Sequence, residues 1–237
     1  MPLQHPTAVK SAQAAVRTSF AKEVSAVLKY DFYARYRKMG RAKYISHLDM
    51  VRVFNRVFRR GRIPVSYSEG FNPHPKISFA LPLSVFYESE CEIMLFSVTE
   101  DLSADELLNR FAPVMPEGLE IIEVKAGKPD VKHLSYCLYD VYCNLPSSDE
   151  LAAFLALSSM VVPKKTKSGI KDADIRCDIA DIKLEDGCMS MLLSAGSNAN
   201  LKPDVVIKAM NKYINGYFSG DCEYLRKSIY TNDMVEI

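Results

Sequence analysis

The sequence predicts an α+β protein made of two ferredoxin-like (split β-α-β) halves with antiparallel sheets, preceded by an N-terminal helical extension. Three observations predict it. Its 237 residues suit two domains of about 100 to 130 residues each on the usual size scale. Short stretches with period-two alternation are interleaved with stretches of helical period. The order β-α-β-β-α-β can be read twice along the chain. The expected divisions are residues 1–30 for the extension, 31–132 for the first domain and 133–237 for the second.

The elements follow in order. Val9, Val16, Phe20, Val24, Val27 and Leu28 recur at a helical period and predict an amphipathic helix in the extension. Asp31 to Lys38 alternates as a strand, Met39 and Gly40 turn it, and Ser46 opens a helix that Gly61 ends. Ile63 to Ser68, Ile77 to Phe79 and Cys91 to Val98 read as strands around a loop rich in Gly, Pro and Asn. Ser103 caps a second helix to Phe111, and Leu119 to Lys125 closes the first half. In the second half, Tyr136 to Cys143 is a strand and Ser148 caps a helix to Leu157. Ile175 to Ile182 and Met189 to Ser194 form a hairpin across Glu185-Asp186-Gly187. Pro203 starts the last helix, and Tyr224 to Tyr230 is the last strand.

Hydrophobic residues make up 48% and charged residues 25%, which excludes a disordered or fibrous chain. No apolar run reaches the roughly 18 residues of a membrane span, and no secretory leader pattern is present, so a cytoplasmic protein is expected. The six cysteines are scattered, without a C-x-x-C pair or zinc spacing. They read as reduced thiols, they exclude a conventional cysteine-ligated iron–sulfur cluster, and neither metal nor cofactor is expected.

Net charge is +1, but it is unevenly spread. Residues 35–76 hold eleven Lys/Arg against two acids, and residues 77–160 hold four against fourteen. The basic stretch points to a phosphate-bearing or acidic partner. Its helix, Ser46 to Arg60, has two faces. At about 100° per residue, Met50, Val51, Val53, Phe54, Val57 and Phe58 share an apolar arc that must meet the sheet, and Arg52, Arg56, Arg59 and Arg60 share the opposite arc, with Arg62 just beyond. Arginine presents a planar fork suited to phosphate and carboxylate, which solubility alone does not require. His47 falls on the apolar side of the first turn, where a buried structural ring is the default.

The loop after Ser68 carries Glu69, Gly70, Phe71, Asn72, Pro73, His74, Pro75 and Lys76. Prolines on both sides of His74 restrain it. Glu69, Asn72, His74 and Lys76 are side chains that bind anions or move protons, and Tyr67 and Phe71 could stack on bases. If Ile63 to Ser68 is a parallel neighbour of the first strand, His47 and His74 meet at one end of the sheet as base and acid. Two histidines alone make a weak metal site, which Asp49 or Glu69 would have to complete. Walker, G-x-S-x-G, H-E-x-x-H and Rossmann motifs are absent.

The run YISHLDMVRVFNRVFRRGRIPVSYSEGFNPHPKISFALPL resembles the radical-SAM-associated proteins of unknown function that occur beside or fused to bacterial radical SAM enzymes. Lys171 to Ile179 and Asn200 to Asp204 look like second-half features of the same family, so the resemblance covers about residues 31–230. Ser84 stands where the family pattern leads one to expect Gly. At fold level the chain is similar to CRISPR repeat-processing RNA endonucleases. The resemblance implies a non-catalytic or co-catalytic companion of a radical SAM enzyme. With the arginine face and the His74 loop, the expected role is an accessory, substrate-binding one, without catalytic activity of its own, that presents RNA or a ribonucleoprotein such as a ribosomal component. Two alternatives stand beside it: a metal-independent endoribonuclease using His47 and His74, and a subunit that only docks on the enzyme.

Overall fold

The computed structural model describes residues 29–166, 169–196, 199–214 and 221–237. The predicted N-terminal helix lies outside the described residues. The elements run β1 (Tyr30–Lys38), α1 (His47–Arg60), β2 (Ile77–Phe79), β3 (Tyr87–Val98), α2 (Ala104–Phe111) and β4 (Leu119–Ala126), then β5 (Leu134–Tyr142), α3 (Ser148–Leu155), β6 (Val161–Thr166), β7 (Gly169–Asp174), β8 (Ile179–Glu185), β9 (Cys188–Ser194), α4 (Pro203–Tyr213) and β10 (Glu223–Thr231). Among the described residues this is a mixed α+β fold with four α-helices and one large, mostly antiparallel sheet.

The sheet order is β4-β1-β3-β10-β5-β9-β8, with β2 also on β3, and β6 with β7 forms a separate hairpin. Within each half the outer strands therefore close around the first and third, as β4-β1-β3-β2 and β10-β5-β9-β8. The halves join through β3, a strand of 12 residues. One edge of β3 pairs with β1; the other is shared by β2, opposite Met94 to Phe96, and by β10, which runs parallel opposite Tyr87 to Ser89.

Alternation explains why β3 is buried on both sides. Met94, Phe96 and Val98 pack with the apolar stripes of α1 and α2, including Phe54, Phe58, Leu107 and Phe111. Cys91 and Ile93, on the other face, join the core under α3 and α4, with Phe154, Val206 and Met210. Side chains of neighbouring positions point to opposite faces of a strand, so the two helix pairs cover opposite faces of one continuous sheet.

At this junction lies a charged cluster. Arg226 of β10, 5% exposed, donates to Glu92 Oε1 (2.8 Å), to the Leu81 carbonyl (2.9 Å) and to the Tyr139 hydroxyl. Glu92 is 3% exposed, and Lys38, 2% exposed, sends its ammonium to the Ile45 carbonyl (3.0 Å). Burial lowers the pKa of Lys38, against the pull of Glu92.

Local chemistry sets the helix starts. Ser46 Oγ accepts from Asp49 N, Ser103 Oγ from Glu106 N, and Ser147 with Glu150 forms a capping box, so the third helix is capped by Ser147 and begins at the predicted cap Ser148. Gly118 turns into β4 at φ 81°, and a Cβ there would stand 2.5 Å from the Met39 carbonyl oxygen. Both demands exclude a side chain. Gly118→Ala is expected to destabilise by about 1 to 3 kcal/mol in urea unfolding; an unchanged midpoint would refute this.

Two predicted elements need correction, and one element was missed. Ile63 to Ser68 makes only isolated bridges, at Val65 and Tyr67, because it meets the end of β3 briefly and then pairs with the His74 segment. The predicted strand from Ile175 starts as a turn, and β8 begins at Ile179. The β6–β7 hairpin was not expected at all.

Candidate functional site at the β1 entry end of the sheet

The residues following α1 form a small hairpin arm. Val65 bridges Val98 and Tyr67 bridges Pro75; Ser66 N donates to the Ser97 carbonyl (2.6 Å), Ser68 N to the His74 carbonyl (2.8 Å) and Lys76 N to the Ser66 carbonyl (2.7 Å). Pro73 and Pro75 keep His74 extended, which leaves its carbonyl and the Lys76 amide to make the pairing. Residues 69–73 are the tip. Glu69 and Asn72 are exposed there, Tyr67 is 40% exposed on the arm, and Phe71 stands wholly in solvent.

His74 is anchored by Ser68. The His74 amide donates to Ser68 Oγ (3.1 Å), and the same oxygen lies 2.9 Å from Nδ1. The Ser68 hydroxyl thus holds the ring through Nδ1, while Nε2 makes no hydrogen bond among the described residues.

Beside the arm, a cleft of about 460 Å³ crosses the strand ends. Ser68, His74, Lys76 and Ser78 line it together with Leu95, Ser97, Asp31 and Lys128. Ser97 Oγ donates to Asp31 Oδ1 (2.6 Å), and Lys128 Nζ lies 3.0 Å from Oδ2. The Ser97 hydroxyl, with Lys128 adding to it, holds the Asp31 carboxyl below its usual range against the opposing effect of burial. Lys128 thus answers Asp31, while Lys76 pairs with no acid among the described residues. Asp31, Ser97 and Lys128 were not singled out from the sequence: they are lone polar residues in distant segments, and only the pairing of β1 with β3 and β4 unites them.

The basic end of α1 comes to the same end of the sheet. The helix starts where β1 stops and runs back, after which Pro64 accepts from Thr99 N at the end of β3 (2.8 Å). Arg59 and Arg60 occupy its last turn, and Arg62 follows at φ 50°, its carbonyl held by Arg110 Nη1 (2.9 Å). Arg56, Arg59, Arg60 and Arg62 are exposed, and none makes an ion pair among the described residues. Arg52 differs: it is tied to Asp49 at 2.7 Å near the helix start. The arginine face belongs to the helix layer, whereas Asp31 and Ser97 lie on the opposite face of the sheet, so the two basic surfaces meet around the sheet end without forming one pocket.

The structure does not bring the two histidines together. His47 is exposed, not buried; its ring stands edge-on to Phe79 (5.5 Å) at the mouth of a small recess lined by Tyr36, Lys38 and Glu92. His74 lies by Asp31, at the other end of β1. From Asp31 to Tyr36 or Lys38 the strand spans roughly 17 to 23 Å. The reason is strand direction. β1 and β2 both run antiparallel to β3 and so point the same way; a loop that precedes β2 therefore belongs at the start of β1, while His47 follows its finish. Among the described residues no three His, Cys, Asp or Glu side chains are grouped as for a metal ion, and no helix is long and apolar enough to cross a membrane.

The match to a family model takes in both blocks that carried the resemblance, the SHLD helix start and the GFNPHPK hairpin, and it holds nothing that links the chain to radical SAM enzymes. No curated protein matches the chain. With residues 32–203 covered by that model, the chain belongs to DUF2344, described as an uncharacterized protein conserved in bacteria.

Proposed function

We propose that this chain is a binding module, without catalysis of its own, that holds a single-stranded, phosphate-rich polynucleotide, RNA foremost, and presents it to a radical SAM partner enzyme. The observation that carries the RNA part is the convergence, at one end of the sheet, of four arginines without acidic partners and an arm bearing exposed Phe71, Tyr67, His74 and Lys76. Cations that no acid neutralises favour phosphate, and an unpacked aromatic ring offers a stacking platform that accepts any base. The partner rests on the sequence resemblance alone. Each half, with its β-α-β-β-α-β core order, is in this reading a ferredoxin-like domain, 31–132 and 133–237, working in the cytoplasm. A nuclease would need its acid and base on one phosphate, which the separation of His47 and His74 does not favour.

Fluorescence anisotropy of a labelled single-stranded RNA tests the reading. Phe71→Ala is expected to weaken binding about tenfold and Phe71→Ala with Lys76→Ala further, on the usual worth of one stacked base. Wild-type affinity in the double variant would sink it.

One observation favours a docking role at the other end. Tyr44, Leu48 and Phe86 are exposed there, the Tyr44 and Phe86 rings are 5.7 Å apart, and Phe86 holds φ 74°. An apolar cluster of this kind suits the partner enzyme. Leu48→Glu should abolish co-purification with that enzyme while RNA affinity stays unchanged; retained co-purification would exclude this surface.

A further inference from the structure

Cys143 follows the last residue of β5 and Cys222 precedes the first residue of β10. The antiparallel register pairs Val141 with Tyr224 and Tyr142 with Glu223, and one step further sets Cys143 opposite Cys222. Their side chains hydrogen-bond one another. Directly opposed residues of an antiparallel pair have Cα atoms about 4.5 to 5.5 Å apart, inside the range of about 4.4 to 6.8 Å that a disulfide requires. Both residues are half-buried, so a small oxidant can reach them, whereas Cys91, Cys137 and Cys188 are buried and Cys177 is exposed.

We propose that Cys143 and Cys222 are an oxidative modification site: a cross-strand dithiol that closes to a reversible intramolecular disulfide. The reaction needs a low-molecular-weight disulfide such as glutathione disulfide. One cysteine thiolate attacks it, forming a mixed disulfide and releasing one glutathione thiolate. The second cysteine loses its proton and displaces the other glutathione, so that two thiols give up two protons and two electrons and the oxidant becomes two thiols. Burial and then the neighbouring Cys222 push the Cys143 thiol up to about 12, which makes closure slow at neutral pH and faster as pH rises. The product would fasten the start of β10 to β5. That start is the part of β10, Tyr224 to Arg226, that pairs with β3 and joins the halves.

The test uses the full chain carrying Cys177→Ser, so that the exposed thiol cannot cross-link molecules. The folded protein is incubated with glutathione disulfide at pH 8, quenched in acid, alkylated after denaturation and digested without reductant. The expected product is one cross-linked peptide pair containing Cys143 and Cys222, two hydrogens lighter than the reduced pair, with a melting temperature higher by about 5 °C. Dithiothreitol should reverse both changes. With Cys222→Ser added, Cys143 should keep glutathione as a stable adduct and the melting temperature should not rise. Full alkylation of both cysteines after oxidant treatment, or stable glutathione adducts on both, overturns the proposal.

Discussion

Arg226→Ala is expected to destabilise the protein by about 3 to 5 kcal/mol, the usual cost of breaking one side of a buried ion pair. Arg226 ends at the junction of β3, β5 and β10 and satisfies Glu92, the Leu81 carbonyl and the Tyr139 hydroxyl together. Removing it strands a buried carboxylate and leaves a space that the two cores cannot fill without moving the sheet. Glu92→Gln should be costly in the opposite sense, since Arg226 and Lys38 would then stand as buried cations without their carboxylate. Urea unfolding of Arg226→Ala, Glu92→Gln and the double variant checks the coupling: the double variant should cost at least 1.5 kcal/mol less than the sum, on the order of measured coupling energies. Costs that add within about 0.5 kcal/mol would show that the two groups do not depend on each other.

This cluster also shows where sequence reasoning ends. Charged residues inside EYLRKSIYT and YESECEIMLFSV read as the solvent side of half-buried strands. Glu92 and Arg226 are nonetheless buried, because β10 meets β3 across the halves, a contact between residues more than 130 positions apart. Helix α1 was legible because its information is local: Ser46 caps it, an apolar stripe of Met50, Phe54, Val57 and Phe58 faces the core, and Gly61 follows it. The β6–β7 hairpin was not, since Val161–Thr166 contains Pro163 and lysines in place of alternating apolar residues, and it forms a sheet of its own with Gly169–Asp174. There the ladder of backbone hydrogen bonds shapes the chain, and no periodic apolar face announces it.

The candidate site divides the same way. The hairpin residues were legible as a held loop because Pro73 and Pro75 bracket His74 in the sequence. Their location was not, because reading Ile63 to Ser68 as a strand of the sheet reversed the end at which the loop emerges. One misassigned strand placed His74 beside His47 when it lies beside Asp31. The helix direction brings Arg59, Arg60 and Arg62 to the side of the loop.

That neighbourhood sets the largest effect expected on binding. Replacing Arg56, Arg59, Arg60 and Arg62 together with Ala should lower affinity for single-stranded RNA at low salt by about a hundredfold. More diagnostically, it should make the slope of log affinity against log salt less negative by about 2 to 3, because each phosphate contact on a single strand releases roughly 0.7 of a counterion. Arg52→Ala is the internal control, since Arg52 already pairs with Asp49 and lies in the first half of α1, farther from the arm than the other four. It should leave the slope unchanged. A simple loss of positive charge would act through the long-range field and would make any of the five arginines nearly equivalent. If Arg52→Ala moves the slope as far as a single substitution at Arg59, the interface is diffuse and the sheet end is not where the strand lies. If the slope falls only with Arg56, Arg59, Arg60 and Arg62, the phosphates follow the end of the helix toward Lys76 and Phe71.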